Sequence, residues 1–219
     1  LSNFYLDIAK DRLYVSAPAD QRRRSCQTVM ALIIERLAGF IAPVLCHMAE
    51  DIWQNIPYPV QETSVFQRGW PTIPSDWRND TLSAPVQQLR DLRAAVNKVL
   101  EDCRGRQELG ASLEAAVRID ARSPELQAAL SWLNDNGDPD VDGLRDWLLV
   151  SQLQLGGEPW AEVLASHEDE LALIDVSRAR GTKCERCWHY EGDVGQHPDH
   201  PHICGRCVGV LERRTHQLA

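Results

Sequence analysis

The chain has 219 residues and a mass of 24.7 kDa, room for one or two domains at roughly 150 residues each. Hydrophobic residues at 43% and charged residues at 25% exclude wholesale disorder, and seven cysteines, an odd count, do not suit a fully disulfide-stapled secreted framework. The formal charge of −9 argues at first sight against a chain that coats nucleic acid.

The charge is unevenly placed. Residues 1–82 carry a balance of −1, residues 83–180 one of −8, and residues 181–219 a balance of zero. The objection to nucleic acid therefore applies to the middle third alone. The most apolar stretch, Val29 to Met48, is broken by Glu35, Arg36, Pro43 and His47, so no membrane span is expected. No charged-then-apolar leader opens the chain, and it starts at Leu1 within a helical pattern, so a fragment of a longer protein is expected.

The first eighty residues read as helices. Phe4, Tyr5, Ile8 and Leu13 mark one that ends at Ser16-Ala17-Pro18. From Asp20, an expected N-cap, the spacing of Cys26, Val29, Met30, Ile33, Ile34 and Leu37 predicts a second helix with one buried face. Gly39 is its expected end, and Pro43 opens a third with Val44, Leu45, Met48 and Ile52 on one side. Between residues 57 and 81, four prolines alternate with Tyr58, Phe66, Trp70 and Trp77, which predicts an extended segment packed across the helices. A helix from about Ser83 to Arg104 follows, with Val86, Leu89, Val96, Leu100 and Cys103 inward.

Beyond Arg106 the period changes. Val117 to Asp120 alternates as a strand does, Ser123-Pro124-Glu125 starts a helix, and Trp147–Leu155 and Leu171–Val176 read as two more strands. The expected fold is thus mainly α, in three parts: an antiparallel helical bundle over 1–106, a small α+β module over 107–180 and a zinc ribbon over 181–219.

The sharpest chemistry lies in that last part. Cys184 and Cys187, then sixteen residues, then Cys204 and Cys207 make two Cys-x-x-Cys knuckles at the spacing of a four-cysteine zinc site. Two residues between ligands let one tight turn aim both sulfurs at one ion, and Gly205 is expected to supply backbone freedom. Four thiolates close the tetrahedron and leave no position for water, so the zinc is read as structural, holding a segment with too small a core of its own. His189, His197, His200 and His202 between the knuckles are read as surface residues, and Cys26, Cys46 and Cys103 as core thiols.

No phosphate loop, His-Glu-x-x-His or Gly-x-Ser-x-Gly is present, so no catalytic residue is assigned. Asp138, Asp140 and Asp142 lack the frame of a calcium loop and read as a solvated acidic loop. Candidate RNA contacts are Arg22, Arg23 and Arg24 at a helix start, and Arg180, Lys183, Arg186, Arg206, Arg213 and Arg214 around the ribbon. Trp188 suits an unstacked base, although packing beneath the zinc is the preferred use of its ring.

Several of these segments resemble one family. Phe4 to Tyr14, Ile41 to Trp53, and Gly110-Ala111-Ser112-Leu113-Glu114-Ala115 resemble the anticodon-binding region of bacterial-type isoleucyl-tRNA synthetases, with Ala111 a departure. Lys183 to Tyr190 and His202 to Cys207 resemble that family's C-terminal zinc finger. The resemblance implies a class I ligase that joins isoleucine to its tRNA with ATP through isoleucyl-adenylate, in a cytoplasmic and monomeric parent. It also implies that the His-x-Gly-His and Lys-Met-Ser-Lys-Ser motifs and the editing domain, absent here, lie elsewhere in the parent. The stretch would hold tRNA and be inactive alone. Two other readings compete: a zinc-ribbon DNA repair module, since formamidopyrimidine-DNA glycosylases carry a similar ribbon, and a zinc-stapled protein-interaction module.

Overall fold

The computed structural model describes residues 4–136 and 143–216, with the side chains of residues 136 and 214–216 set aside. About half of it is helical, with a small sheet and a cysteine cluster. The helices are α1 (Tyr5–Tyr14), α2 (Gln21–Ile41), α3 (Cys46–Gln54), α4 (Ser83–Gly105), α5 (Pro124–Asn136), α6 (Leu144–Leu148) and α7 (Gly205–His216). The strands are β1 (Ala115–Ala121), β2 (Gln152–Leu155), β3 (Ala165–Glu168), β4 (Ala172–Arg178), β5 (Thr182–Lys183) and β6 (Tyr190–Glu191). Among the described residues no helix is long and apolar enough to cross a membrane. The loop aspartates Asp138, Asp140 and Asp142 fall outside the described residues.

Packing divides the chain into two compact units. One is residues 12–78, and the other joins residues up to Asp11 with those from Asn79 on. The division expected at residue 106 is therefore corrected. Helix α4 buries Leu89, Leu92, Val96, Val99, Leu100 and Cys103 in the same core as Val117 and Ile119 of β1, Leu126 and Leu130 of α5, and Ile174 and Val176 of β4. Each such side chain contributes about 1.5–3 kcal/mol by leaving water, which outweighs any tie of α4 to the helices before it.

In the unit of residues 12–78, Asp20 caps α2 as expected, its carboxylate accepting from the Arg22 and Arg23 backbone N–H groups. The expected stripe of α2 is not the buried one. Cys26 is buried, but Val29 and Leu37 are exposed, and the contact with α3 runs through Ala38, Ala42, Ala49 and Trp53. Small residues let the backbones approach, and the larger apolar side chains are left outside. The face expected of α3 is turned out as well: Val44, Leu45 and Met48 are exposed. Gly39 does not end α2. A Cβ there would stand 2.4 Å from Pro71 Cγ, so the glycine is a notch into which Pro71 seats.

The proline- and aromatic-rich segment packs over α2 and α3 as predicted. Tyr58 donates to Ala31 O and Glu35 Oε1 at 3.3 and 3.0 Å, and Trp53 Nε1 donates to Glu62 O at 2.9 Å. Burial and the Glu35 carboxylate together push the Tyr58 phenol up to about 12. Trp70 meets Phe40 edge to face at 5.3 Å. Filling the notch should cost stability: Gly39→Val is expected to lose about 1–3 kcal/mol in thermal unfolding. Gly105→Ala, with nothing within 4 Å, should be neutral or slightly stabilising. Equal stability of the two variants would remove the notch.

In the other unit a four-stranded sheet runs β2-β1-β4-β3. β1 pairs with β2 in parallel, through the α5–α6 crossover, and with β4 antiparallel. The strand expected over Trp147–Leu155 is shorter: Trp147 and Leu148 close α6, Leu149 turns left-handed at φ 56°, and β2 begins at Gln152. β3 was not expected, because Ala165-Ser166-His167-Glu168 offers one apolar residue and pairs only at the sheet edge. On the sheet's other face Arg118 and Asp175, opposite each other in register, form a buried ion pair with N–O 3.1 Å.

Candidate metal centre and nucleic-acid interface

The hairpin β5–β6 frames the first knuckle, Lys183 standing opposite Tyr190. Inside it Trp188 N–H donates to Cys184 O at 2.9 Å, and Cys184 N–H donates to His189 O at 2.8 Å. Closing that turn requires one residue in the left-handed region, and it is Trp188, at φ 68°. Gly205 plays a different part from the one expected. Its φ is not left-handed; a Cβ there would lie 2.7 Å from Asp193 Oδ2, whose carboxylate accepts from Gly205 N–H at 2.7 Å at the head of α7.

The two knuckles converge. Cys184, Cys187, Cys204 and Cys207 are all buried, and their Sγ atoms all lie within 4.8 Å of one another. Cys184 to Cys207 is 3.8 Å and Cys187 to Cys204 is 3.7 Å. A regular tetrahedron of Zn–S bonds near ~2.3 Å has S–S edges of about 3.8 Å, so the cluster fits one zinc with no open position. The thiol chemistry agrees. Hydrogen bonds from Cys204 and Cys207 hold Cys187 far below the ordinary thiol range, while the hydrogen bond with Cys187 pushes Cys204 up to about 11. Crowded thiols share protons, and a divalent cation among them lets all four ionise.

Other residues sit differently from expectation. Trp188 is 61% exposed and is no core beneath the metal; Lys183 Nζ lies 5.7 Å from its ring centre. His189 is buried, not a surface residue, and burial with the nearby Arg145 charge lowers it to about 4, so it is neutral. His202 is exposed, while His197 lies 3.4 Å from Asp193. Cys26 and Cys103 are buried as expected, but Cys46 is exposed.

The candidate RNA contacts do not share one setting. Arg22, Arg23 and Arg24 belong to the unit of residues 12–78; Arg23 Nη1 donates to Ser16 O at 3.3 Å, and Arg24 is exposed. Arg180, exposed, edges a groove of about 930 Å³ beside Gln152, Trp160 and Arg178. Lys183 and Arg213 are exposed, and the Arg214 side chain lies outside the described residues. Arg186 and Arg206 turn inward. Arg206 makes two bonds of 2.8 Å to Asp11 of α1, and Arg186 Nη1 reaches Cys207 Sγ at 3.6 Å. Asp11 and Asp193 were missed from the sequence: Asp11 meets a residue 195 positions away, and Asp193 is one acidic residue in a polar loop.

Comparison with known families decides the kinship. The family described as "Anticodon-binding domain of tRNA ligase" matches residues 1–119, more than half of the chain. The chain belongs to this family. Residues 181–209 match a second pattern, "Zinc finger found in FPG and IleRS". Together with the thiol geometry, this assigns one structural zinc to the anticodon-binding family member. The chain is 97% identical over 218 residues to an isoleucine–tRNA ligase of Parasynechococcus marenigrum (strain WH8102), covering 100% of this chain. It is 74% identical to one of Synechococcus sp. (strain CC9311) and 48% identical to one of Prochlorococcus marinus (strain MIT 9301), over 98% and 96% of its length. It spans 22% of the length of each of these relatives.

Proposed function

We propose that this chain is the tRNA-positioning part of an isoleucine–tRNA ligase, with Cys184, Cys187, Cys204 and Cys207 as the zinc ligands. The observation that carries the reading is the joint occurrence of an anticodon-binding match over 1–119 and a converged four-thiol cluster at 184–207. The parent joins isoleucine to its tRNA with ATP, in the cytoplasm and as a monomer; activation and editing fall to other parts of it. The present stretch holds the tRNA in register so that its distant acceptor end meets the catalytic groups. The helices belong to an antiparallel anticodon-binding bundle, and the ribbon adds a second foothold on the RNA.

The exposed platform of Trp188 and Lys183 supports that foothold. An aromatic ring held out of the core beside a cation suits an unstacked base and its phosphate. Arg180 and Arg213 lie exposed in the same unit and extend the basic surface. Arg22, Arg23 and Arg24 provide a separate basic patch at the head of α2.

Filter binding of isoleucine tRNA over a range of salt tests the reading. Affinity should fall steeply with salt. Trp188→Ala should weaken binding by about 1–3 kcal/mol without changing the salt slope, since stacking releases no counterion. Lys183→Gln and Arg213→Gln should each lower the slope by about one. Equal affinity for every tRNA, with tight capture of a protein partner, would favour the protein-interaction module instead. Isoleucine-dependent pyrophosphate exchange by the 219-residue chain would show that the catalytic assignment is wrong.

A further inference from the structure

Both knuckles carry an arginine in the same place, Cys184-Glu185-Arg186-Cys187 and Cys204-Gly205-Arg206-Cys207. Each arginine reaches across to the last cysteine of the opposite knuckle. Arg186 Nη1 donates to Cys207 Sγ at 3.6 Å, and Arg206 donates to Cys187. Arg206 at the same time grips both oxygens of Asp11, at 2.8 Å each. The Arg206 and Asp11 side chains are only 27% and 13% exposed.

The charge balance gives this arrangement a purpose. Four thiolates around one dication leave two negative charges uncompensated, and here all four cysteines are buried. Buried excess charge is costly unless it is paired. Two crossed guanidinium groups supply two positive charges directly at the sulfurs. The planar fork of Arg206 can face a carboxylate with two nitrogens and still turn a donor toward sulfur, which a lysine cannot do. Donation to a thiolate also reduces its readiness to take a proton or an electrophile.

We propose that Arg186 and Arg206 serve the metal centre and not tRNA phosphate: each neutralises a thiolate of the opposite knuckle, and Asp11 of α1 holds Arg206 in position. This rests on the zinc reading above. Arg206 thereby fastens the second knuckle to the first and to α1 in one contact.

The test is the rate at which the zinc-loaded 219-residue chain gives up its metal to excess EDTA, followed with a chromogenic zinc indicator. Arg186→Gln and Arg206→Gln should each release zinc faster, on the order of 10- to 100-fold. Arg206→Lys, which keeps the charge and loses the fork, should fall between. Asp11→Asn should accelerate release when made alone but add nothing to Arg206→Gln, because it acts only through that residue. Arg122→Gln, at an exposed pair with Glu168, should change nothing. With cobalt in place of zinc, the thiolate-to-cobalt absorption should shift in both glutamine variants. Release within twofold of the parent chain and unmoved cobalt bands would overturn the proposal while leaving the zinc in place. If Arg206→Gln does not fold, Arg206→Lys and Asp11→Asn decide the matter by the same readout. A parent chain that holds no zinc at all overturns the zinc reading itself, which is a distinguishable result.

Discussion

Cys184→Ser is expected to empty the metal centre, taking zinc from one equivalent per chain to near none. Structural zinc contributes about 10–16 kcal/mol of apparent binding energy in isolated zinc fingers, as much as the whole stability of a typical domain. The ribbon has no substitute for it. Its described buried residues are mostly the four cysteines themselves, with His189, Val208 and Val210. The helical and sheet cores contain none of the ligands, so they should survive. Limited proteolysis should therefore cut within residues 181–213 while helical circular dichroism is largely kept. Cys207→Ala should behave alike, since the two sulfurs are 3.8 Å apart in one cluster. Acid should reproduce the loss in the parent chain, because protons compete for the thiolates. A serine variant with full zinc content would remove Cys184 from the ligand set.

Arg118→Ala should be the most damaging single change in the sheet. Arg118 and Asp175 are 2% and 6% exposed, face each other across β1 and β4, and meet at 3.1 Å. Ser166 Oγ donates to Asp175 at 2.6 Å, yet a hydroxyl cannot replace the cation. Removing one partner of a buried pair leaves the other charge stranded, a loss of about 3–5 kcal/mol. For a unit of this size that lowers Tm by roughly 6–20 °C. Removing both charges is a different experiment. The double variant Arg118→Met with Asp175→Leu should recover most of the loss, because apolar side chains of similar volume bear no desolvation penalty. Thermal unfolding of the three proteins checks the argument: a double variant as unstable as Arg118→Ala would mean that packing, not charge, sets the cost.

How much of this was legible in the sequence follows from the range of each interaction. The zinc centre was, because a knuckle is a local turn and its ligand spacing is written in four residues. The cap at Asp20 and the buried face of α4 were legible for the same reason. The buried side of α2 was not. Hydrophobic spacing points at Val29 and Leu37, whereas the chain buries Ala38, Ala42 and the notch at Gly39, a choice made by the partners α3 and Pro71. Trp188 was misjudged because its ring is apolar, while its backbone, left-handed at the close of the knuckle, turns the ring outward. Arg206 reads as a phosphate contact until Asp11, 195 positions earlier, is brought beside it. Net charge said least: a total of −9 describes the acidic middle of the chain and hides a ribbon whose balance is zero.

The allegiance of α4 bears on how such proteins can be recombined. The helix lies within the stretch matched by the anticodon-binding family, yet its inward side chains complete the core of the sheet that follows. A chimera of two relatives joined at residue 106 would set one parent's α4 against the other's β1 and α5, and each mismatched methylene there would be felt. A junction near Arg78 and Asn79 crosses no such core, so hybrids spliced there inherit an intact hydrophobic interior from a single parent.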